Sequence, residues 1–220
     1  MPRESQARLR TRVDQIRRQL RLTYPDACCE LNYTNPLELL VATILSAQCS
    51  DKQVNRVTVD LFQKHRNAHD FATAPRAELE QDLRRIGLFR NKARSIQGCC
   101  RRLVDEHGGQ VPDTMDALTR LEGVGRKTAN VVLGNAFGQK EGVVVDTHVM
   151  RLTRRLALSQ ATQPERIERD LMSLVPREEW TLWSHWLIAH GRRRCPSRNP
   201  DCARCELRPW CPTGARPNEH

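Results

Sequence analysis

The run "LEGVGRKTANVV", Leu121 to Val132, sets two glycines around a valine and follows them at once with Arg126 and Lys127. Glycine tolerates positive φ, so Gly123-Val124-Gly125 reads as a tight turn between two short helices. The second helix opens on a cation, although a helix N-terminus carries partial positive charge and disfavours one. A lysine there is either a solvated surface side chain or an amine meant to lose its proton. The turn also leaves backbone N–H groups at the helix start, which suits a phosphate. Taken alone, two glycines around one residue mean no more than a turn.

A second chemical cluster lies near the C-terminus. "CPSRNPDCARCELRPWC" spaces Cys195, Cys202, Cys205 and Cys211 by six, two and five residues. Four thiolates so close can enclose one metal centre, either zinc or iron–sulfur. Zinc ribbons usually carry two C-x2-C pairs, and here there is one. Disulfides are the weaker reading, because the start "MPRESQARLRTRVDQIRRQL" has no signal-peptide stretch and a cytoplasmic location is expected. Cys28–Cys29 and Cys99–Cys100 are adjacent pairs, poorly placed to bridge and expected as buried small apolar residues. Cys49 stands alone.

The chain has 220 residues, 39 % of them apolar, enough for a hydrophobic core. Lys and Arg number 36 against 26 Asp and Glu, a net charge of +10. So basic a balance points to an anionic partner, nucleic acid above all. Arg192, Arg193, Arg194 and Arg198 crowd the cysteine run and are expected to meet phosphates. No apolar run approaches the roughly 20 residues that cross a bilayer.

The elements that must hold these groups read as helices throughout. Leu9, Val13, Ile16 and Leu20 recur at helical spacing. Asn35-Pro36 is a cap and first helical residue before "LELLVATIL". Ser50 and Gln53 form a capping-box pattern. Pro75 opens a helix that Gly87 stops, and Asn91 is expected to cap the next one. "GVVVD", Gly142 to Asp146, is the only strand-like run and reads as an extended entry to the helix carrying Val149, Leu152 and Leu156. Pro164 opens a further helix. The last carries Trp180, Trp183 and Trp186, expected as core, and Gly191 should end it.

Taken together, "LEGVGRKTANVVL" with "VDTHVMRL" about twenty residues on resembles the helix-hairpin-helix and downstream aspartate of the endonuclease III family of DNA glycosylases. "ILSAQCSDKQVNRV", "IGLFRNKA" and "HWLIAHGRRRC" are similar to that family too, in the right order. The likeness runs from about Leu20 to Cys211.

The resemblance implies an all-α, two-lobed helix-hairpin-helix glycosylase fold with a C-terminal cluster loop at 195–211. One lobe is a six-helix unit over 30–138. The other joins 1–29 to 139–220. The cleft between them is expected to hold Lys127, matching the family's nucleophile, and Asp146, matching its catalytic aspartate. Gln48 and Leu88 match residues that enter the duplex where a base leaves. Gly123, Val124, Gly125 and Arg126 match the phosphate-binding turn, with Arg193, Arg194 and Arg198 as further DNA contacts. Glu122 stands where the family often has proline and adds negative charge beside that turn. The four cysteines match the ligands of a [4Fe–4S] cluster.

Amine attack at a sugar requires the neutral form. Partial burial of Lys127, Arg126 beside it and the helix N-terminus would all favour that form. The implied activity is a bifunctional DNA glycosylase and abasic-site lyase. Its partner would be double-stranded DNA bearing oxidised or ring-saturated pyrimidines, or an abasic site. A bacterial, nucleoid-associated monomer without an obligate protein partner is expected. The rival readings are a non-catalytic helix-hairpin-helix DNA-binding protein, a glycosylase for mismatches or alkylated bases, and a zinc-stapled interaction module. His148 and Asp51 are lesser candidates, the first for ordering the site and the second for starting a helix.

Overall fold

The computed structural model describes residues 4–214, and the chain divides into two compact units. One is Met1–Cys28 with Gly142–His220, and the other is Cys29–Glu141. The helices in chain order are α1 (Gln6–Thr23), α2 (Pro36–Ser46), α3 (Asp51–Lys64), α4 (Ala68–Thr73), α5 (Arg76–Asp82), α6 (Phe89–His107), α7 (Met115–Thr119), α8 (Arg126–Ala136), α9 (Thr147–Arg155), α10 (Pro164–Leu174) and α11 (Trp180–Arg193). No strand occurs among the described residues, and no described helix is long and apolar enough to cross a membrane.

In the continuous unit α2 is the central element. Asn35 accepts from the Glu38 amide at 3.0 Å, Pro36 fills the first helical position, and every residue from Leu39 to Leu45 is buried. Each fully buried Leu or Ile is worth about 1.5–3 kcal/mol, against about 1 kcal/mol for a cap. Burial therefore fixes α2, and the cap sets where it begins. The unit carries α2 to α8, seven helices where the resemblance implies six, because Pro75 separates two short ones at 68–82.

In the discontinuous unit Val13, Ile16 and Leu20 of α1 pack with Val149 and Leu152 of α9, Leu171 of α10 and Trp183 and Leu187 of α11. Val143 and Val145 bury in the same core, so the run before Asp146 is extended without being a strand. Trp183 and Trp186 are buried, as expected.

Three expected boundaries moved, and one expected capping box did not close. α5 ends at Asp82, short of Gly87. α6 starts at Phe89 rather than after Asn91, because Leu88 takes a left-handed turn and its carbonyl already accepts from the Lys92 amide at 3.1 Å. Gly191 does not end α11. It lies inside the helix, and a Cβ there would fall 2.9 Å from Arg151 Nη2 and from His148 Nδ1, so the glycine serves a close approach to α9. Ser50 caps α3, but the Gln53 side chain donates to the Arg85 carbonyl at 3.3 Å instead of closing the box.

Candidate functional site

The glycine turn is docked on α6. Gly123 has φ +78°, and a Cβ on it would lie 2.8 Å from Ser95 Cβ, so two independent constraints demand glycine. Leu121 and Val124 are buried and anchor the turn. Arg102 of α6 donates to the Arg120 carbonyl at the end of α7. Gly125 begins α8 with no side-chain cap, and Arg126 and Lys127 are exposed on the first turn. The partial burial expected of Lys127 is therefore absent: α8 turns Ala129, Asn130, Val132 and Leu133 inward and leaves Lys127 outside.

Gln48 and Leu88 share a conformation the sequence did not announce. Both are non-glycine residues in the left-handed region, with φ 56° and 58°. Such backbone is uncommon and clusters at functional sites. Both are exposed, Leu88 at 56 %, which is high for a leucine. Their loops are neighbours: a Cβ on Gly87 would lie 3.8 Å from the Gln48 carbonyl. Beneath them Lys92 is buried, and its ammonium donates to the Leu45 carbonyl at 2.8 Å. Among the described residues no carboxylate pairs with it, and burial pulls its titration down.

In the other unit Asp146 is the N-cap of α9, with Oδ1 accepting from the Val149 amide at 2.7 Å. His148 meets Arg151 at 3.1 Å where α9 presses on Gly191, and so takes part in helix packing. Asp51 lies in the first turn of α3.

Cys195, Cys202, Cys205 and Cys211 line one small cavity and none is in a disulfide. Among the described residues no three His, Cys, Asp or Glu side chains converge on a point that would hold a single ion. A multi-iron cluster asks for something else, four thiolates spread around a cavity with each ligating its own iron. Zinc would need the four to converge. Donors aim at these sulfurs, as they should at thiolates: the Arg155 guanidinium lies 3.1 Å from Cys195 Sγ and the Gly214 amide 3.4 Å from Cys211 Sγ. Tyr24 Oη lies 3.0 Å from His190 Nδ1, and His190 Nε2 lies 3.6 Å from Cys205 Sγ. Burial pushes the Tyr24 phenol up to about 12 and His190 down to about 4. A protonated phenol can donate to Nδ1, which leaves Nε2–H to face the sulfur. The residues thus fit an iron–sulfur cluster.

The arginines divide. Arg194, expected at DNA, reaches Asp201 at 2.8 Å and Glu206 at 2.9 Å, which engages its guanidinium in folding the cysteine loop. Arg193 pairs with Asp26 at 3.0 Å, but both are exposed, and such a pair is worth about 0–1 kcal/mol, so a phosphate can compete for it. Arg198 is exposed. Sequence reasoning missed Lys92, Ser95 and Arg155. Arg155 also donates to the Pro196 carbonyl at 2.7 Å and the Ser197 carbonyl at 2.9 Å, and in the arginine-rich "RLTRRL" nothing set it apart. Cys28 is exposed rather than buried, while Cys99 and Cys100 are buried as expected.

A hairpin docked on a long helix, with an uncapped helix start beyond it, defines a helix-hairpin-helix protein. The model of the HhH-GPD superfamily of base excision DNA repair proteins matches residues 41–177. Endonuclease III of Synechocystis sp. is 52 % identical over 92 % of this chain and 92 % of its own. Among solved structures, a non-covalent endonuclease III–DNA complex is 45 % identical with a TM-score of 0.89, covering 94 % of this chain and 96 % of that one. A trapped endonuclease III–DNA covalent intermediate is 47 % identical with a TM-score of 0.87, covering 92 % and 97 %. The chain belongs to the endonuclease III family of the HhH-GPD superfamily.

Proposed function

We propose that the protein is a bifunctional DNA glycosylase and abasic-site lyase of base excision repair, acting on oxidised or ring-saturated pyrimidines in duplex DNA. The observation that carries this reading is Lys127, an exposed amine on the first turn of α8 directly after the docked glycine turn. A relative of the same fold has been trapped as a covalent DNA intermediate, which is what an amine nucleophile produces.

The amides at the uncapped start of α8 hold a backbone phosphate, and Arg126, Arg193 and Arg198 add charge. Extruding a nucleotide takes a few kcal/mol, least for a damaged base. Gln48 and Leu88, on their strained loops, fill the gap it leaves. Lys127 Nζ attacks C1′, the bond from C1′ to the base breaks, and the base leaves with the electron pair and gains a proton. Positive charge grows on the sugar, and the Asp146 carboxylate stabilises it. One oxygen of Asp146 suffices for the cap, so the other is available to the sugar. Loss of a proton from nitrogen and opening of the ring give an imine between Lys127 and C1′. The imine acidifies C2′–H. Loss of that proton and cleavage of the C3′–O bond cut the strand, and water then frees the lysine.

Cys195, Cys202, Cys205 and Cys211 would hold a [4Fe–4S] cluster, whose iron–sulfur bonds cross-link a loop with little apolar content of its own. No step of the reaction passes through it.

The test is borohydride reduction on abasic duplex. Wild type should become covalently trapped. Lys127→Gln should bind the duplex yet give no trapped species. Equal trapping by the variant would remove Lys127 from the mechanism.

A further inference from the structure

Gly98 sits in the middle of the 19-residue helix α6, where glycine is among the poorest helix formers. Its reason is steric. A Cβ on Gly98 would lie 1.8 Å from Oε2 of Glu122 and 2.3 Å from its Cδ. The Glu122 carboxylate therefore rests on the bare backbone of α6. The next residue registers the charge: burial first and Glu122 second push the Cys99 thiol up to about 12. Arg94 and Arg102 lie four residues either side of Gly98, on the same face of the helix. Glu122 itself immediately precedes the turn Gly123–Gly125; the Val124 amide is spent on the Leu121 carbonyl, and the uncapped helix start beyond it suits an anion.

We propose that Gly98 is a positioning residue for the phosphate-binding turn: it seats the Glu122 carboxylate on α6 and so keeps an internal anion away from the amides that hold the DNA backbone. Glu122 stands within reach of those amides in sequence and has the charge that would occupy them. With a methyl group at position 98, the flexible glutamate gives way more readily than the helix, and its carboxylate swings off α6. There it repels a phosphate or competes for its N–H groups. This inference rests on the reading of the turn as a phosphate site.

The experiment is a double-variant cycle on a duplex bearing a tetrahydrofuran abasic analogue, with affinity and melting temperature measured for wild type, Gly98→Ala, Glu122→Gln and the double variant. Gly98→Ala should melt no lower than wild type, since alanine is the better helix former. It should bind roughly fivefold more weakly, the factor one added repulsion gives in a partly solvated site. Glutamine keeps the size of glutamate and loses its charge, so the double variant should bind as Glu122→Gln alone does. The proposal falls if Gly98→Ala binds like wild type, or if the double variant retains the loss relative to Glu122→Gln, which would make the effect steric. Failure of the phosphate reading has a different signature: Gly123→Ala, which must distort the turn, would bind the duplex as wild type does.

Discussion

The Lys92 ammonium donates to the Leu45 carbonyl at 2.8 Å inside the continuous unit, three residues before Gln48 and four after Leu88. One buried hydrogen bond thus ties the base of one left-handed loop to the base of the other. A bond from a charged donor is worth about 1.5–3 kcal/mol, and burying the ammonium offsets much of it. We expect Lys92→Met to change stability by only about 1 kcal/mol or less while weakening binding to abasic duplex by roughly threefold to tenfold. The sign with pH follows from burial, which lowers Lys92 titration in the folded protein. The unfolded chain then holds the extra proton, so wild type gains stability relative to Lys92→Met as pH rises towards the free lysine value of about 10.4. Denaturant melts of both proteins at neutral and alkaline pH measure this.

Asp146 has two tasks that substitution can separate. Asparagine caps a helix as well as aspartate does, and alanine loses about 1 kcal/mol. Asp146→Asn should therefore keep the melting temperature, Asp146→Ala should lower it, and both should slow turnover by roughly a hundredfold or more. Single-turnover rates alongside melts decide. Unchanged turnover in Asp146→Asn would leave the residue as a cap alone.

Arg194 and Arg198 should part company. Arg194→Ala strips Glu206 of its partner and leaves Asp201 only the exposed Arg204, so loss of iron and visible absorbance should quicken, with proteolytic nicks inside 195–211. Arg198→Ala should leave the loop intact and reduce the salt slope of DNA affinity by about 1.

Thiol reactivity should follow burial. Cys28 is exposed and should react with an aromatic disulfide reagent in a fast phase that Cys28→Ser removes. Cys99 and Cys100 are buried, and burial raises both thiols, Cys99 to about 12. They should react only on unfolding. Stopped-flow absorbance with and without denaturant checks the order.

The sequence carried the helices because apolar spacing reports which face turns inward. Val13, Ile16 and Leu20 of α1 show it. The glycine turn was equally legible, since Gly123 needs its positive φ whatever surrounds it. What stayed hidden are meetings between distant residues. Gly191 reads as a stop until α9 is seen pressing on it, and Gly98 reads as a weak spot until Glu122 is seen resting there. Lys92 looks like any surface lysine, because nothing in "FRNKARS" tells that the Leu45 carbonyl awaits it. Arg194 was assigned to phosphate by its neighbours in sequence, whereas two carboxylates further along the loop claim it.

The discontinuous unit has a consequence for synthesis. α1 leaves the ribosome before residues 29–141, yet the partners of Val13, Ile16 and Leu20 belong to α9, α10 and α11, made after them. Until they emerge, α1 must present its apolar stripe to water or to a chaperone, while residues 29–141 can collapse on their own. The newborn protein should therefore mature from its middle outward, and a ribosome stalled just after residue 141 has cleared the exit tunnel should carry a finished inner domain beside an unpaired leading helix.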